Sequence, residues 1–388
     1  MLTRDENEMF TRVGRGTPAG ELLRRYWMPV AAAGELSDDK PIKAFRLLGE
    51  NLVVYRDKRG RYGVVGEQCP HRKASLAFGR VDEDGIRCPY HGWKYDCTGR
   101  CLEQPAEPEE RAFKDKIKHL AYPVQKLGGL LWAYLGPEPK PLLPRWDVLA
   151  WTKGKRWIEK HEIYNCNWLQ PMENSVDPSH LYWLHGDTAH LVGAVERYEE
   201  EHEFIPFEFG IMKVRRTPGK KPSDRSQIDQ HPLVFPNTLR HVFRTIKTDG
   251  LLRHNLQIRV PVDDTHTQIY VVYFTPTDTD LSPAGGDAPW EFSPIRDEKG
   301  QYRLEHVLVQ DAMAWETQGA ITDRTQEHLG VGDEGIILFR QLLHEQIDKV
   351  RNGGEPLGII RDPQMNGIIE IEVINERIGL MGAQRKVA

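Results

Sequence analysis

No stretch of this 388-residue chain approaches the roughly 20 consecutive apolar residues that a membrane-spanning helix requires. Cationic charge is not in excess either. The 52 lysines and arginines against 57 acidic residues leave a formal net charge of −5, which argues against a dedicated nucleic-acid binder. Internal repeats and low-complexity tracts are missing. The opening residues, Met1 to Phe10, are acidic and polar and do not read as a secretory signal. A cytoplasmic protein with neither membrane nor nucleic-acid partners is expected. Cysteine is scarce, with five residues: Cys69, Cys88, Cys97, Cys101 and Cys166. An odd count in a long chain does not describe a disulfide framework, so metal binding or simple burial is expected instead.

What is present is ordinary globular material, 28% charged and 39% hydrophobic, with enough length for two or three domains. Residues 1–40 read as an amphipathic helical lead-in that packs on the catalytic part, with Leu22, Leu23, Tyr26 and Trp27 on one side. From 41 to 140 short β-type runs (45–48, 52–55, 62–65, 130–135) alternate with Gly, Asp and Pro turns, the pattern of a small all-β domain. The proline-rich stretch Gly136 to Pro141 marks its exit. Residues 141–388 read as α+β. A helix is expected at about 165–184, strand runs at 202–216, 239–246, 253–262 and 267–275, and helices near 304–320 and 334–351. Asp333 is placed to cap the last helix. Residues 276–300, rich in Asp, Pro and Gly, read as an exposed loop.

The strongest local signal is Cys69-Pro70-His71, then sixteen residues, then Cys88-Pro89-Tyr90-His91-Gly92-Trp93. Two thiolates and two imidazoles on paired turns can hold Zn²⁺ or a [2Fe–2S] cluster. Zinc fingers group Cys with Cys and His with His, whereas here each turn supplies one of each. A Rieske centre needs that mixture, because one iron takes two Cys and the other two His. The two motifs resemble the Rieske loops of ring-hydroxylating oxygenases. The resemblance implies that Cys69 and Cys88 ligate one iron and His71 and His91 the other. Rieske proteins of respiratory and photosynthetic complexes carry two further cysteines that form a disulfide beside the cluster; Ala74 and Tyr90 stand there in this chain. Serine and tyrosine donors to the cluster are not evident, and a low-potential centre is expected. Cys97, Cys101 and Cys166 read as structural.

A second segment, Asn167-Trp168 through Glu173-Asn174, Asp177, His180 and His185, is similar to N-W-x-x-x-x-E-N-x-x-D-x-x-H-x-x-x-x-H of the same oxygenases. Two imidazoles and one carboxylate leave three neighbouring positions open on Fe(II) for O₂ and substrate. His180 and His185 lie about 140° apart on a regular helix, so they meet at one metal only if the helix bulges or ends between them. Asp177 lies at i−3 from His180 and can accept the proton of its second nitrogen. By resemblance, Asp177 links His180 to His91 of an adjacent subunit, which implies a homotrimer or a multiple of one. The resemblance places the third ligand on a later helix, where Asp311 matches best and Glu316 is the competitor.

Segments such as 259–267 and 310–330 resemble the phthalate dioxygenase branch, and the likeness spans essentially the whole chain. It implies an all-β Rieske domain followed by an α+β helix-grip-like catalytic domain with a large antiparallel sheet. It also implies a [2Fe–2S] cluster, a mononuclear Fe(II), and a separate NAD(P)H-dependent reductase carrying flavin and 2Fe–2S. The substrate implied is O₂ plus a small, possibly carboxylated, aromatic compound, hydroxylated once or twice or O-demethylated. Candidate substrate contacts are Asn174, Arg215, Arg240 and Arg244, with Arg216 in the same strand region. Gly14, Gly16 and Gly20 have the wrong spacing for a nucleotide fingerprint. Two other readings stay open: a pure electron-transfer protein, which leaves His180, His185 and Asp311 unexplained, and a metal-dependent hydrolase, which leaves the cysteine–histidine loops unexplained.

Overall fold

The computed structural model describes residues 1–185, 201–217, 226–244 and 250–376, apart from the Arg244 side chain. The amino-terminal part runs α1 (Arg4–Thr11), α2 (Pro18–Leu23), β1 (Trp27–Ala32), β2 (Ile42–Leu47), β3 (Glu50–Arg56), β4 (Tyr62–Gly66), β5 (Arg80–Asp82), β6 (Gly85–Arg87), β7 (Lys94–Tyr95), β8 (Cys101–Glu103), β9 (Ala121–Tyr122), β10 (Val124–Leu127) and β11 (Leu130–Tyr134). These strands make three small sheets, in the orders β1-β11-β10, β2-β3-β4-β9 and β5-β6-β7-β8. The expected lead-in is helical only to residue 23. Its apolar end, Trp-Met-Pro-Val-Ala-Ala, is buried throughout and pairs antiparallel with β11, because a six-residue apolar run satisfies its backbone in a sheet once another buried strand lies alongside.

The remainder contains α3 (Asp147–Ala150), β12 (Lys153–His161), α4 (Leu169–Val176), α5 (His180–Trp183), β13 (Glu201–Phe207), β14 (Gly210–Thr217), β15 (Gln227–Val234), β16 (Thr238–Arg244), β17 (Leu252–Asp263), β18 (His266–Asp280), β19 (Trp290–Ser293), α6 (Val307–Thr317) and α7 (Glu334–Arg351). One eight-stranded sheet, ordered β13-β14-β15-β16-β17-β18-β12-β19, carries it. All pairs are antiparallel except β12 with β19, so the expected antiparallel sheet is mixed at one edge. The run read as one strand over 202–216 is the β13–β14 hairpin, and the supposed loop over 276–300 contains the end of β18 and all of β19. Asp333 stands at the start of α7, yet its carboxylate accepts from Gly330 N rather than from the helix. Among the described residues no helix is long and apolar enough to cross a membrane.

The sheet buries both faces. Leu256, Ile258, Tyr270 and Val272 join the main core, which also takes in α2, α4, α7 and the β1–β11 pair. The intervening residues Ile269 and Val271 form a separate layer with Tyr164, Val309, Ala312 and Trp315, under α6. The two parts of the chain are joined at the β2–β3 turn. Leu48 and Gly49 both take positive φ (49° and 78°), the backbone a tight two-residue hairpin demands. Their N–H groups then donate to Pro261 O and Val262 O of β17 at 3.0 and 2.9 Å.

Candidate metal centres

Two loops hold the first constellation, and they are near copies. In each, the cysteine N–H donates to the carbonyl five residues on, and its carbonyl accepts from the N–H four residues on. The distances are Cys69 N to Ala74 O 2.9 Å and Lys73 N to Cys69 O 2.9 Å, then Cys88 N to Trp93 O 2.8 Å and Gly92 N to Cys88 O 3.2 Å. The residue four on has positive φ in both, 63° at Lys73 and 74° at Gly92, at a cost of about 1 kcal/mol for the lysine. The loops face each other. The His71 and His91 ring centroids are 4.6 Å apart, and Trp93 stacks on His71 at 4.5 Å and 2°. Both cysteines are buried, and none of the five in the chain forms a disulfide. Burial pushes the Cys69 thiol up, against the pull of Tyr95 and the His71 backbone, and the adjacent Cys88 adds to the rise. His91 Nδ1 is buried without a hydrogen-bond partner. Two crowded sulfurs and a stranded imidazole nitrogen are what a ligated cluster would use, so the residues fit a [2Fe–2S] group.

One expectation is corrected. A tyrosine donor is present: the β6–β7 pairing sets Ile86 opposite Tyr95, and the Tyr95 hydroxyl lies 3.2 Å from Cys69 Sγ. A sulfur bound to iron would carry no proton, so this hydroxyl would then be the donor.

The second constellation is assembled by a broken helix. Pro178 forces the preceding Asp177 into extended backbone (φ −86°, ψ 121°), which ends α4; a single turn, α5, then starts at His180. Since α5 ends before His185, the two histidines escape their 140° separation. One ligating atom from each of His180, His185 and Asp311 lies within 4.8 Å of the others. His185 Nε2 is 3.1 Å and His180 Nε2 3.8 Å from Asp311 Oδ1. These three donors fit a facial iron site. Glu316 is engaged elsewhere, with Asn165 N, the Tyr302 hydroxyl and Arg296.

The motif residues around the triad act as scaffold. Asn167 Nδ2 donates to Thr11 O and Asp264 O, and Trp168 Nε1 to Phe10 O, tying α4 to the lead-in. Gln170 Nε2 donates to Trp315 O and Gly319 O, tying α4 to α6. Glu173 accepts from Arg324 and Arg340 in a buried network. Gln310, which sequence reasoning passed over, donates Nε2–H to Leu304 O at 2.8 Å. Its Oε1 therefore faces His185 Nδ1 at 2.7 Å, and the proton is assigned to that nitrogen. The signal was available, since Gln310 adjoins the best carboxylate candidate. Asp177 Oδ2 is 3.4 Å from His180 Nδ1, an ion-pair separation beyond an aligned hydrogen bond, while its Oδ1 accepts from Ser179 N and Oγ. Burial pushes the Asp177 carboxyl up, but His180 and Ser179 outweigh it and hold it well below the ordinary range.

Three of the candidate arginines, Arg215, Arg216 and Arg240, are paired with acids other than Asp311. Arg240 is ion-paired with Asp147 at 3.1 Å and bonded to His254, and its sheet partners Leu256 and Val272 belong to the main core, on the face away from α6. Arg215 is neutralised by the buried Asp229, and Arg216 pairs with Glu203 at the surface. Asn174 is half-buried on the last turn of α4, and the Arg244 side chain lies outside the described residues. These arginines all sit in the sheet, but residue type alone does not say which face they take or which acid they meet.

Residues 26–127 match the Rieske [2Fe-2S] domain and residues 298–374 the LigXa C-terminal domain like family. The 5,5'-dehydrodivanillate O-demethylase oxygenase subunit of Sphingobium sp. (strain NBRC 103272 / SYK-6) is 39% identical over 384 residues, covering 97% of this chain and 87% of that one. The phthalate 4,5-dioxygenase oxygenase subunit of Pseudomonas putida is 31% identical, covering 92% and 89%. Among solved structures, Pseudomonas putida CBB5 NdmA aligns with a TM-score of 0.66 at 21% identity, over 86% of this chain and 93% of that one. With the paired loops and the His–His–Asp set in one polypeptide, these full-length likenesses show that the chain belongs to the Rieske non-haem iron oxygenases.

Proposed function

We propose that this chain is the oxygenase component of a multicomponent system that O-demethylates a methoxylated aromatic acid. The observation that carries the reading is the convergence of His180, His185 and Asp311 within 4.8 Å in the same chain as the cysteine–histidine loops. Demethylation is favoured over ring dihydroxylation because the demethylase subunit is 39% identical and the phthalate dioxygenase subunit 31%. The balanced reaction is ArOCH₃ + O₂ + NADH + H⁺ giving ArOH + CH₂O + H₂O + NAD⁺. When bound, the cluster supplies single electrons and the mononuclear iron activates O₂.

The protein's own residues prepare that chemistry. Gln310 holds a proton on His185 Nδ1 and leaves Nε2 free to ligate. Asp177 does the corresponding work, more loosely, for His180. Asp177 also faces outward enough to meet a second subunit: its side chain is 23% exposed, and Trp183, six residues on, is 73% exposed. Tyr90, on the second cysteine–histidine loop, and Phe78, just after the first, are 56% and 81% exposed. We infer a head-to-tail trimer in which these apolar surfaces meet and Asp177 approaches His91 of the partner subunit. A separate reductase delivers the electrons.

The test is iron analysis and turnover of the purified chain. Two cluster irons and one mononuclear iron, three per chain, are expected. With a surrogate reductase, NADH and O₂, a panel of methoxylated aromatic acids should release formaldehyde. A cis-diol instead would replace demethylation by dihydroxylation; two irons and no oxygenated product would reduce the protein to an electron carrier.

A further inference from the structure

On β17 the residues Asn255, Gln257 and Arg259 alternate with Leu256, Ile258 and Val260, and therefore share the sheet face that looks toward α6. All three polar side chains are buried, Arg259 to 1%. Two of its five N–H groups are used on its own strand: Nη1 donates to Gln257 O and Nη2 to Gln257 Oε1, both at 2.9 Å. That leaves Nε–H and one hydrogen on each Nη, and Nε is buried without a partner. Among the described residues no carboxylate lies within ion-pair distance of this guanidinium. A buried cation without a paired anion is costly and calls for a ligand.

The layer around it holds further unpaired polar atoms, Asn255 Oδ1 among them. The Tyr164 hydroxyl and Trp315 Nε1 are also buried without partners, and their rings meet edge to face at 5.6 Å. Trp315 stands one turn beyond Asp311 on α6, so the two share a helix face. Burial lowers the Arg259 guanidinium to about 10, with Asp311 and Tyr164 pulling the other way, so it stays charged at neutral pH beside the metal-binding carboxylate. His185 and Asp311 are themselves only 1% and 5% exposed, so the triad and Arg259 are alike buried.

We propose that Arg259, steered by Gln257, binds the carboxylate of the aromatic substrate, with the Tyr164 hydroxyl as a second donor, and so selects acids over neutral rings. The inference rests on the oxygenase reading and deepens it. It is tested on the holoenzyme by calorimetric titration with methoxylated benzoates and biphenyl carboxylates, each paired with its methyl ester. Wild type should bind acids about ten-fold or more tighter than esters, the value of a charge-assisted pair. Arg259→Gln should erase that preference while iron content and the reduced-cluster EPR signal stay as in wild type. Arg259→Lys keeps the buried charge but not the fork, and should fall between. Equal binding of acid and ester by wild type, no acid bound at all, or an undiminished preference in either variant overturns the proposal. O₂-dependent turnover by Arg259→Gln with the acid preference intact would remove this inference and leave the oxygenase standing, whereas an iron-free triad would remove both.

Discussion

Gln310→Leu tests the contact that orients His185 at the mononuclear site. The leucine is close in volume, and the amide it replaces meets the triad through the 2.7 Å contact with His185 Nδ1 and also gives up its bond to Leu304 O. His185 is 1% exposed, so water does not take the vacated place. A buried imidazole N–H left without an acceptor costs about 1–3 kcal/mol, or roughly 5- to 150-fold in an equilibrium constant. That range brackets the roughly 10–100-fold in metal affinity that partners of ligating histidines typically contribute. Ferrous affinity, measured by competition with a chromogenic chelator, should fall by at least ten-fold. The visible spectrum of the cluster in the same chain serves as an internal control and should not change. Gln310→Glu keeps an acceptor and should bind iron within a few-fold of wild type. Wild-type affinity in Gln310→Leu would refute the claim that this amide fixes the tautomer of His185.

Tyr95→Phe removes the hydroxyl that lies 3.2 Å from Cys69 Sγ. A donor to a ligating sulfur favours the reduced cluster, so its loss should lower the midpoint potential by about 40–60 mV, the equivalent of one ordinary hydrogen bond in a one-electron couple. An EPR-monitored redox titration reads it, and an unchanged potential would contradict the contact. Glu173→Gln leaves Arg324 without its carboxylate and Arg340 with only Glu327. Breaking such a buried network costs about 3–5 kcal/mol, visible in denaturant unfolding; a loss below about 1 kcal/mol would show the pairing to be dispensable. Asp177→Asn should keep all three irons yet fail to pass electrons between centres. Rapid mixing of the reduced variant with substrate and O₂ should leave the cluster signal in place while wild type reoxidises.

The metal ligands were legible because their chemistry constrains spacing. Cys-x-His with Cys-x-x-His, and two histidines five apart after Asp-Pro, are patterns that few other demands on a chain produce. Helix α7 was legible for another reason: its apolar residues follow one stripe, and the expected limits, 334–351, are the observed ones. Strands β12 and β15 escaped notice. In β12 the buried positions include Arg156 and His161, and in β15 they include Asp229 and His231, so the apolar alternation that announces a strand is written in charged residues. Those charges are tolerable only because partners arrive from elsewhere. Arg156 bonds to the carbonyls of Val148, Trp151 and Ser282, and Asp229 pairs with Arg215 and His231.

The same logic separates the arginines. Arg215, Arg240 and Arg259 are alike in the sequence, each in a sheet strand, and each is buried in the fold. They differ in what faces them. Asp229 neutralises the first and Asp147 the second, so both are finished structural pairs that gain nothing from another anion. Arg259 bonds only to oxygens of its own strand, and among the described residues no carboxylate pairs with it. Pairing is a property of distance between elements far apart in the chain, 93 residues for Arg240 and Asp147. No local pattern encodes it, so an unmatched charge becomes visible only when every neighbour has a position. The metal ligands could be read as a motif; the cation that meets the substrate's charge had to be found as a residue the fold leaves unpaid.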